Sequence, residues 1–239
     1  MNDSRAEADR IAANWQAVRE RVDRATSAAR RPADSVQIVG ITKYVDARLA
    51  RCLFQAGCHH LGESRPQELW QKADALSDLK PHWHLIGHLQ RNKVKRTLQC
   101  VDLIQSVDSL RLMSQINSDG ESMDRRVAVL IEVNISSEAN KTGLAIDSLN
   151  ELFDEAMQCS HVEIQGLMGM ASLESSTEPA REQFARLRSI RDDLQSQYGP
   201  AVQLRHLSMG MSGDFEDAIL EGATIVRIGS ALFEGVGKT

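Results

Sequence analysis

The feature that most limits the fold of this chain is an alternation of texture. Eight short apolar runs, rich in β-branched residues, recur along it: "SVQIVGI", "CHHLGES", "HWHLIGHL", "VDLIQSVD", "RVAVLIEVNI", "VEIQGLMGMA", "QLRHLSMGMS" and "TIVRIGSALF". Amphipathic stretches such as "RPQELWQKADAL" and "EPAREQFARLRSIRDDLQSQYG" separate them. Strands alternating with helices predict a parallel sheet with helical crossovers. Eight such units within about 200 residues predict a closed barrel in preference to an open doubly wound sheet. Before the first strand, Ser4 to Arg30 reads as one amphipathic helix, with Ile11, Trp15, Val18 and Val22 on a single stripe. No long linker or composition break divides the chain. The expectation is therefore α/β: one (β/α)8 TIM barrel over residues 1–239, with an extra N-terminal helix.

In this architecture function gathers at the C-terminal ends of the strands. Those ends hold Lys43, Glu63 with Ser64, His88 to Gln90, Ser106, Asn134, Met168, Ser208 to Ser212, and Arg227 to Ser230. Lys43 follows the apolar run Val36–Ile41 and shares strand parity with Val39 and Ile41, so it is expected to point into the barrel mouth. On the same parity Tyr44 points the opposite way. Arg227 is a second cation at the end of an apolar strand, and a buried guanidinium needs an acceptor. Glu63 or Asp214 is a candidate partner for Arg227, and Glu63 or Glu132 for Lys43.

The loops after strands seven and eight are the usual phosphate-binding loops of such barrels. Here they read "LSMGMSGD" and "RIGSALF". Gly210, Gly229 and Ser230 let backbone N–H groups approach an anion, and Ser212 is placed to cap the next helix. Lysine, arginine and phosphate cradle thus converge on one rim. A lysine desolvated beside cations loses its proton more readily, and its free amine can condense with a carbonyl. The ligand class is a phosphorylated aldehyde or ketone held as a Schiff base. The residues alone leave open a cofactor or a sugar phosphate handled by a lysine-dependent aldolase.

Composition narrows the setting. With 239 residues, 42% hydrophobic and 26% charged, the chain has the balance of a globular protein. A net charge of -5 argues against non-specific nucleic-acid binding. No apolar run is long enough to span a bilayer, and "MNDSRAEADRIAANWQ" lacks the pattern of a signal peptide, so a cytoplasmic protein is expected. Cys52, Cys58, Cys100 and Cys159 match no zinc spacing and read as reduced thiols.

The pieces "VGITKY", "GES", "HWHLIGHLQRNK", "IQSVDS", "EVNIS", "NKTGL", "GLMGM" and "LRHLSMGMSGDFEDAILEGATIVRIGSALF" stand in this order from Val39 to Phe233. Together they resemble the pyridoxal phosphate homeostasis protein family, which is similar to the N-terminal barrel of alanine racemase. The resemblance implies that Lys43 carries pyridoxal 5'-phosphate (PLP) as a Schiff base. It implies that Ser212, Gly229 and Ser230 hold the phosphate and that Arg227 faces the pyridine nitrogen. Ser208, Met209 and Gly210 would line the pocket together with Met168. Ser64 stands where the family has an asparagine near the cofactor's ring, and being shorter it is expected to reach the ring through water.

The family is thought to buffer PLP and deliver it to other enzymes, without turnover of its own. Recipient PLP-dependent apoenzymes are the implied partners. The second domain through which the racemase dimerises is missing, so a monomer is expected. An arginine at the pyridine nitrogen disfavours its protonation and makes the ring a poor electron sink. The alternative is a PLP enzyme with weak racemase or transaminase activity.

Three further signals have plainer readings. His82 and His84 share a strand face, but no carboxylate or cysteine completes a metal set, and His84 and His88 are expected to pack or hydrogen-bond. "QRNKVKR" reads as a solvated basic helix face. Met168, Met170, Met209 and Met211 read as core and pocket wall.

Overall fold

The computed structural model describes residues 2–136, 142–172 and 179–236. Its eight strands are all parallel and close into one barrel, in the order of the chain. They are β1 (Gln37–Ile41), β2 (His60–Glu63), β3 (His82–Leu85), β4 (Leu103–Val107), β5 (Val127–Glu132), β6 (Val162–Met168), β7 (His206–Ser208) and β8 (Ile225–Ile228). Closure runs through β1 and β8, where Val39 lies opposite Arg227. The expected barrel is the observed one.

The helices are α1 (Asn2–Ala28), α2 (Ala47–Gln55), α3 (Pro66–Ala75), α4 (Val94–Thr97), α5 (Leu110–Ser122), α6 (Leu149–Ala156), α7 (Ala180–Tyr198) and α8 (Phe215–Leu220). α1 is the extra N-terminal helix, and it buries Ile11, Trp15, Val18 and Val22 as its stripe predicts. α3 opens on Pro66, whose missing N–H costs nothing in a first turn. Asp46 is the N-cap of α2, just outside the helix, and accepts from the Leu49 N–H at 2.8 Å.

Strand parity divides the apolar residues into two clusters. The larger fills the space between barrel and helices. The smaller one, Val39, Ile41, Leu103, Leu130, Met168 and Ile225, fills the barrel interior, with Ile86 and Ala128 against it. Gln37, His84, Gln105, Ser208 and Arg227 share the parity of this inner set, so the interior is partly polar. None of the described helices is long and apolar enough to cross a membrane.

Candidate functional site

The site starts from the backbone that carries Lys43. β1 ends at Ile41, and Thr42 is fully buried beyond it. The Thr42 N–H donates to the Gly62 carbonyl at 3.0 Å, and its hydroxyl donates to Glu63 Oε1 at 2.6 Å. Lys72 Nζ, on α3, donates both to the Thr42 carbonyl at 2.7 Å and to Glu63 Oε1 at 2.5 Å. These contacts fix the peptide just before Lys43 without engaging its side chain.

Lys43 itself differs from expectation in two ways. It is exposed, not desolvated, because it sits in a turn two residues past the strand end. Parity also stops at Ile41, so Tyr44 does not point away: Lys43 Nζ lies 4.8 Å from the centre of the exposed Tyr44 ring. Neither proposed carboxylate holds the lysine. Glu63 turns outward to the buried Lys72. Glu132 shares the inward parity of Leu130 and is buried, but among the described residues no ion pair joins it to Lys43. Burial pushes the Glu132 carboxyl above its usual range, against the opposing pull of a Thr142 hydrogen bond and of Arg227.

Arg227 is 4% exposed and held by neutral groups. Its Nη1 donates to Ser208 Oγ at 2.7 Å and its Nη2 to the Gly169 carbonyl at 3.1 Å. Among the described residues no salt bridge joins Arg227 to either candidate partner, Glu63 or Asp214. Asp214 spends one oxygen on the Met211 N–H at 2.6 Å, and its other oxygen is buried without a partner. Burial lowers the Arg227 pKa to about 10, with Glu132 and Asp214 pulling it back up. Burial raises the Asp214 carboxyl, countered by the Met211 N–H and by Arg227.

The loops after β7 and β8 meet at one oxygen. Ser212 Oγ accepts from the N–H groups of Gly229 at 3.2 Å and Ala231 at 3.5 Å. Ser212 therefore does not cap α8, whose N-cap position is Asp214. Two backbone donors from the β8 turn converging on a loop hydroxyl form the kind of cradle that a phosphate oxygen fits. Ser230 is exposed at the start of a 3₁₀ turn, Ser230–Leu232. Gly210, at φ +90°, passes so close to α8 that a Cβ would lie 2.6 Å from Ala218 Cβ.

The remaining sequence-derived residues divide by position. Ser208 and Met168 are buried on the inner face at the ends of β7 and β6. Met209 sends its side chain into the outer core, away from the mouth. Ser64 is half-buried, and its carbonyl packs so tightly on Gly87 that a Cβ there would come within 2.3 Å. His84 is hydrogen-bonded inside the barrel, whereas His88 is exposed and 3.3 Å from Asp108. Part of the "NKTGL" motif, Asn140 and Lys141, lies outside the described residues.

Lys72 and Gln105 escaped the sequence reading. A lone lysine on an amphipathic helix carries no sign of burial. Gln105 did carry one, since it alternates with the inward Leu103.

The comparisons with known proteins bear on family and fold. The family model described as "Alanine racemase, N-terminal domain" matches residues 7–236. A protein of Aquifex aeolicus named "Pyridoxal phosphate homeostasis protein" is 42% identical over 216 residues, covering 90% of this chain and 94% of the relative. The chain belongs to the pyridoxal phosphate homeostasis protein family. Among solved structures, PipY of Synechococcus elongatus with PLP bound is 33% identical, covers 89% of this chain and 99% of its own, and superposes with a TM-score of 0.79. Alanine racemase of Clostridium difficile, 14% identical with a TM-score of 0.70, shares the fold over 97% of this chain and 56% of its own.

Proposed function

We propose that this protein binds PLP covalently through Lys43, holds it without turnover and passes it to PLP-dependent apoenzymes in the cytoplasm, working as a monomer. The observation that carries the reading is the convergence of the Gly229 and Ala231 N–H groups on Ser212 Oγ, on the rim that also bears Lys43. The PLP bound to PipY and the name of the Aquifex relative support the choice of ligand.

When bound, PLP supplies an aldehyde with which a lysine amine condenses, releasing water. Lys43 provides that amine on a backbone clamped by Lys72 and Glu63. Ser212, Gly229 and Ser230 would hold the phosphate. Met168, Ser208 and Gly210 wall the pocket, with the Met209 backbone between them, and Ser64 faces the ring side. Arg227 would meet the pyridine nitrogen with an N–H that donates a hydrogen bond and cannot accept one, an arrangement that disfavours protonation of the nitrogen. Such a contact from Arg227 would make the bound cofactor a weak electron sink, which favours holding over turnover.

Tyrosine positions point the same way. Tyr44 touches Lys43 within one turn, so the two approach a ligand from one side. Tyr198 ends α7 and donates to Asp154 Oδ1 at 2.8 Å, among the helix ends opposite the barrel mouth. A pair of bases on opposite faces of a ligand is not assembled from these residues.

Purified protein incubated with PLP should turn yellow, and borohydride should fix the chromophore on Lys43. Lys43→Ala should lose the band while unfolding at the wild-type temperature. A band that persists in this variant rules out Lys43 as the anchor. Added amino acids should shift the spectrum stoichiometrically, and continuing product formation would establish the enzyme reading instead.

A further inference from the structure

Barrel interiors of this fold are usually filled by branched apolar side chains. Here a single polar chain threads through the interior from Arg227 to the start of β2. Arg227 Nη1 donates to Ser208 Oγ, and Ser208 Oγ donates to Gln105 Oε1 at 2.6 Å. Gln105 Nε2 lies 2.9 Å from His84 Nδ1, and His84 Nε2 lies 3.1 Å from His60 Nδ1. Five strands contribute one residue each. Arg227, Ser208, Gln105 and His84 are all buried.

The direction of every bond follows from the arginine. A guanidinium only donates, so the Ser208 oxygen must accept, and its single proton is left for the short contact to Gln105. Gln105 receives it on the amide oxygen, which turns the amide NH₂ toward His84. His84 Nδ1 must then be the bare nitrogen, and its proton lies on Nε2, aimed at His60. Gln37, with its amide 3.4 Å from the same Nε2, can accept from it only with its oxygen turned inward. Burial keeps His84 neutral, and the facing His60, His82 and His206 reinforce this. Val39, Leu103, Leu130 and Ile225 fill the rest of this interior without polar atoms. A fully satisfied polar chain instead specifies one geometry.

We propose that Gln105 is a positioning residue for the ligand site. It holds the Ser208 hydroxyl so that its lone pair grips one arm of Arg227, while the Gly169 carbonyl grips the other. The guanidinium is thereby locked, and its remaining donors are presented to the ligand. His84 in turn locks Gln105. The proposal rests on the reading of Arg227 as the group facing the PLP ring nitrogen.

Two measurements test it. In the cofactor-free protein, ¹⁵N-histidine NMR should show His84 as the neutral Nε2–H tautomer near pH 7. In Gln105→Glu, His84 Nδ1 faces an acceptor, so the imidazole should take up a second proton at the same pH. A wild-type Nδ1–H tautomer, or an unchanged His84 in the variant, overturns the chain.

In the PLP-loaded protein, Gln105→Met should fold normally yet bind PLP about fivefold more weakly or worse, the scale of one lost hydrogen bond. The pH titration of its chromophore should also shift, which a merely structural residue would not cause. Ser208→Ala should move both readouts in the same direction, and it replaces Gln105→Met if that variant does not fold. Wild-type affinity and titration in a folded variant overturn the positioning role. Wild-type protein that forms no yellow complex defeats the PLP reading itself, and the NMR result still reports on the chain.

Discussion

Lys72 is the single residue on which the geometry of the lysine turn most depends. It is 5% exposed, its partner Glu63 is fully buried, and Glu63 Oε2 already lacks a hydrogen-bond donor. Removing the ammonium leaves a carboxylate in the core with only the Thr42 hydroxyl for company. Breaking a buried pair from one side costs about 3–5 kcal/mol, whereas replacing both partners with apolar groups is often neutral. Lys72→Met should therefore destabilise by about that amount in urea unfolding, and Lys72→Met with Glu63→Leu should recover most of the loss. A cost below about 1 kcal/mol for the single variant would mean that the pair is solvated. The burial of Arg227 was legible in the sequence because a cation ending an apolar strand has few explanations, whereas Lys43, expected to be desolvated, is exposed beyond the end of β1. Lys72 was not, because its helix face looks solvated until β2 brings Glu63 beneath it. Tyr44 was misplaced for a different reason: parity is a property of a strand, and the strand stops at Ile41.

At the scale of elements, the β7–α8 connection positions both Arg227 and Ser212. The Gly210 carbonyl accepts the Arg227 N–H at 3.0 Å, and Met211 is tied to Asp214. Gly210 combines a positive φ with contact to Ala218 and Phe215, whereas a Cβ on Gly213 in the same loop would meet nothing within 4 Å. Gly210→Ala should cost about 2–4 kcal/mol, combining backbone strain with overpacking, and Gly213→Ala should stay within about 0.5 kcal/mol of wild type. Equal unfolding midpoints for the two would show that α8 moves away freely. Eight strands and their order were legible because each alternation of texture is local. The interior polar chain was legible only in part. Gln37 and His84 could be assigned to the inner face from parity, but the Ser208–Gln105 bond joins residues 103 positions apart across the barrel. No local pattern carries such a contact.

For the whole molecule, the buried histidines set the response to acid. Burial, aided by neighbouring histidines, holds His84 down to about 3 and His60 to about 4. Burial and Arg205 lower His206 as well. A histidine whose folded pKa is depressed stays neutral in the native state while the unfolded chain takes up protons. Its contribution is therefore complete above about pH 6.5, and it is lost as pH falls from there toward the folded value. His84 alone supplies a slope of up to about 1.4 kcal/mol per pH unit within that window. His60 adds to it with a smaller weight, since its ring is partly solvated. Glu132 and Asp214 act in the opposite sense. Burial raises their folded pKa values, so their protonation stabilises the native state as the pH falls through those values. Unfolding midpoints should therefore drop from about pH 6.5 downward and flatten where these carboxyls begin to protonate. His84→Gln should reduce the slope between about pH 6.5 and pH 5 while leaving a residual slope from His60 and His206. A midpoint that does not change across this interval in the wild type would show that the interior histidines take up protons in the native state as they do in the unfolded chain.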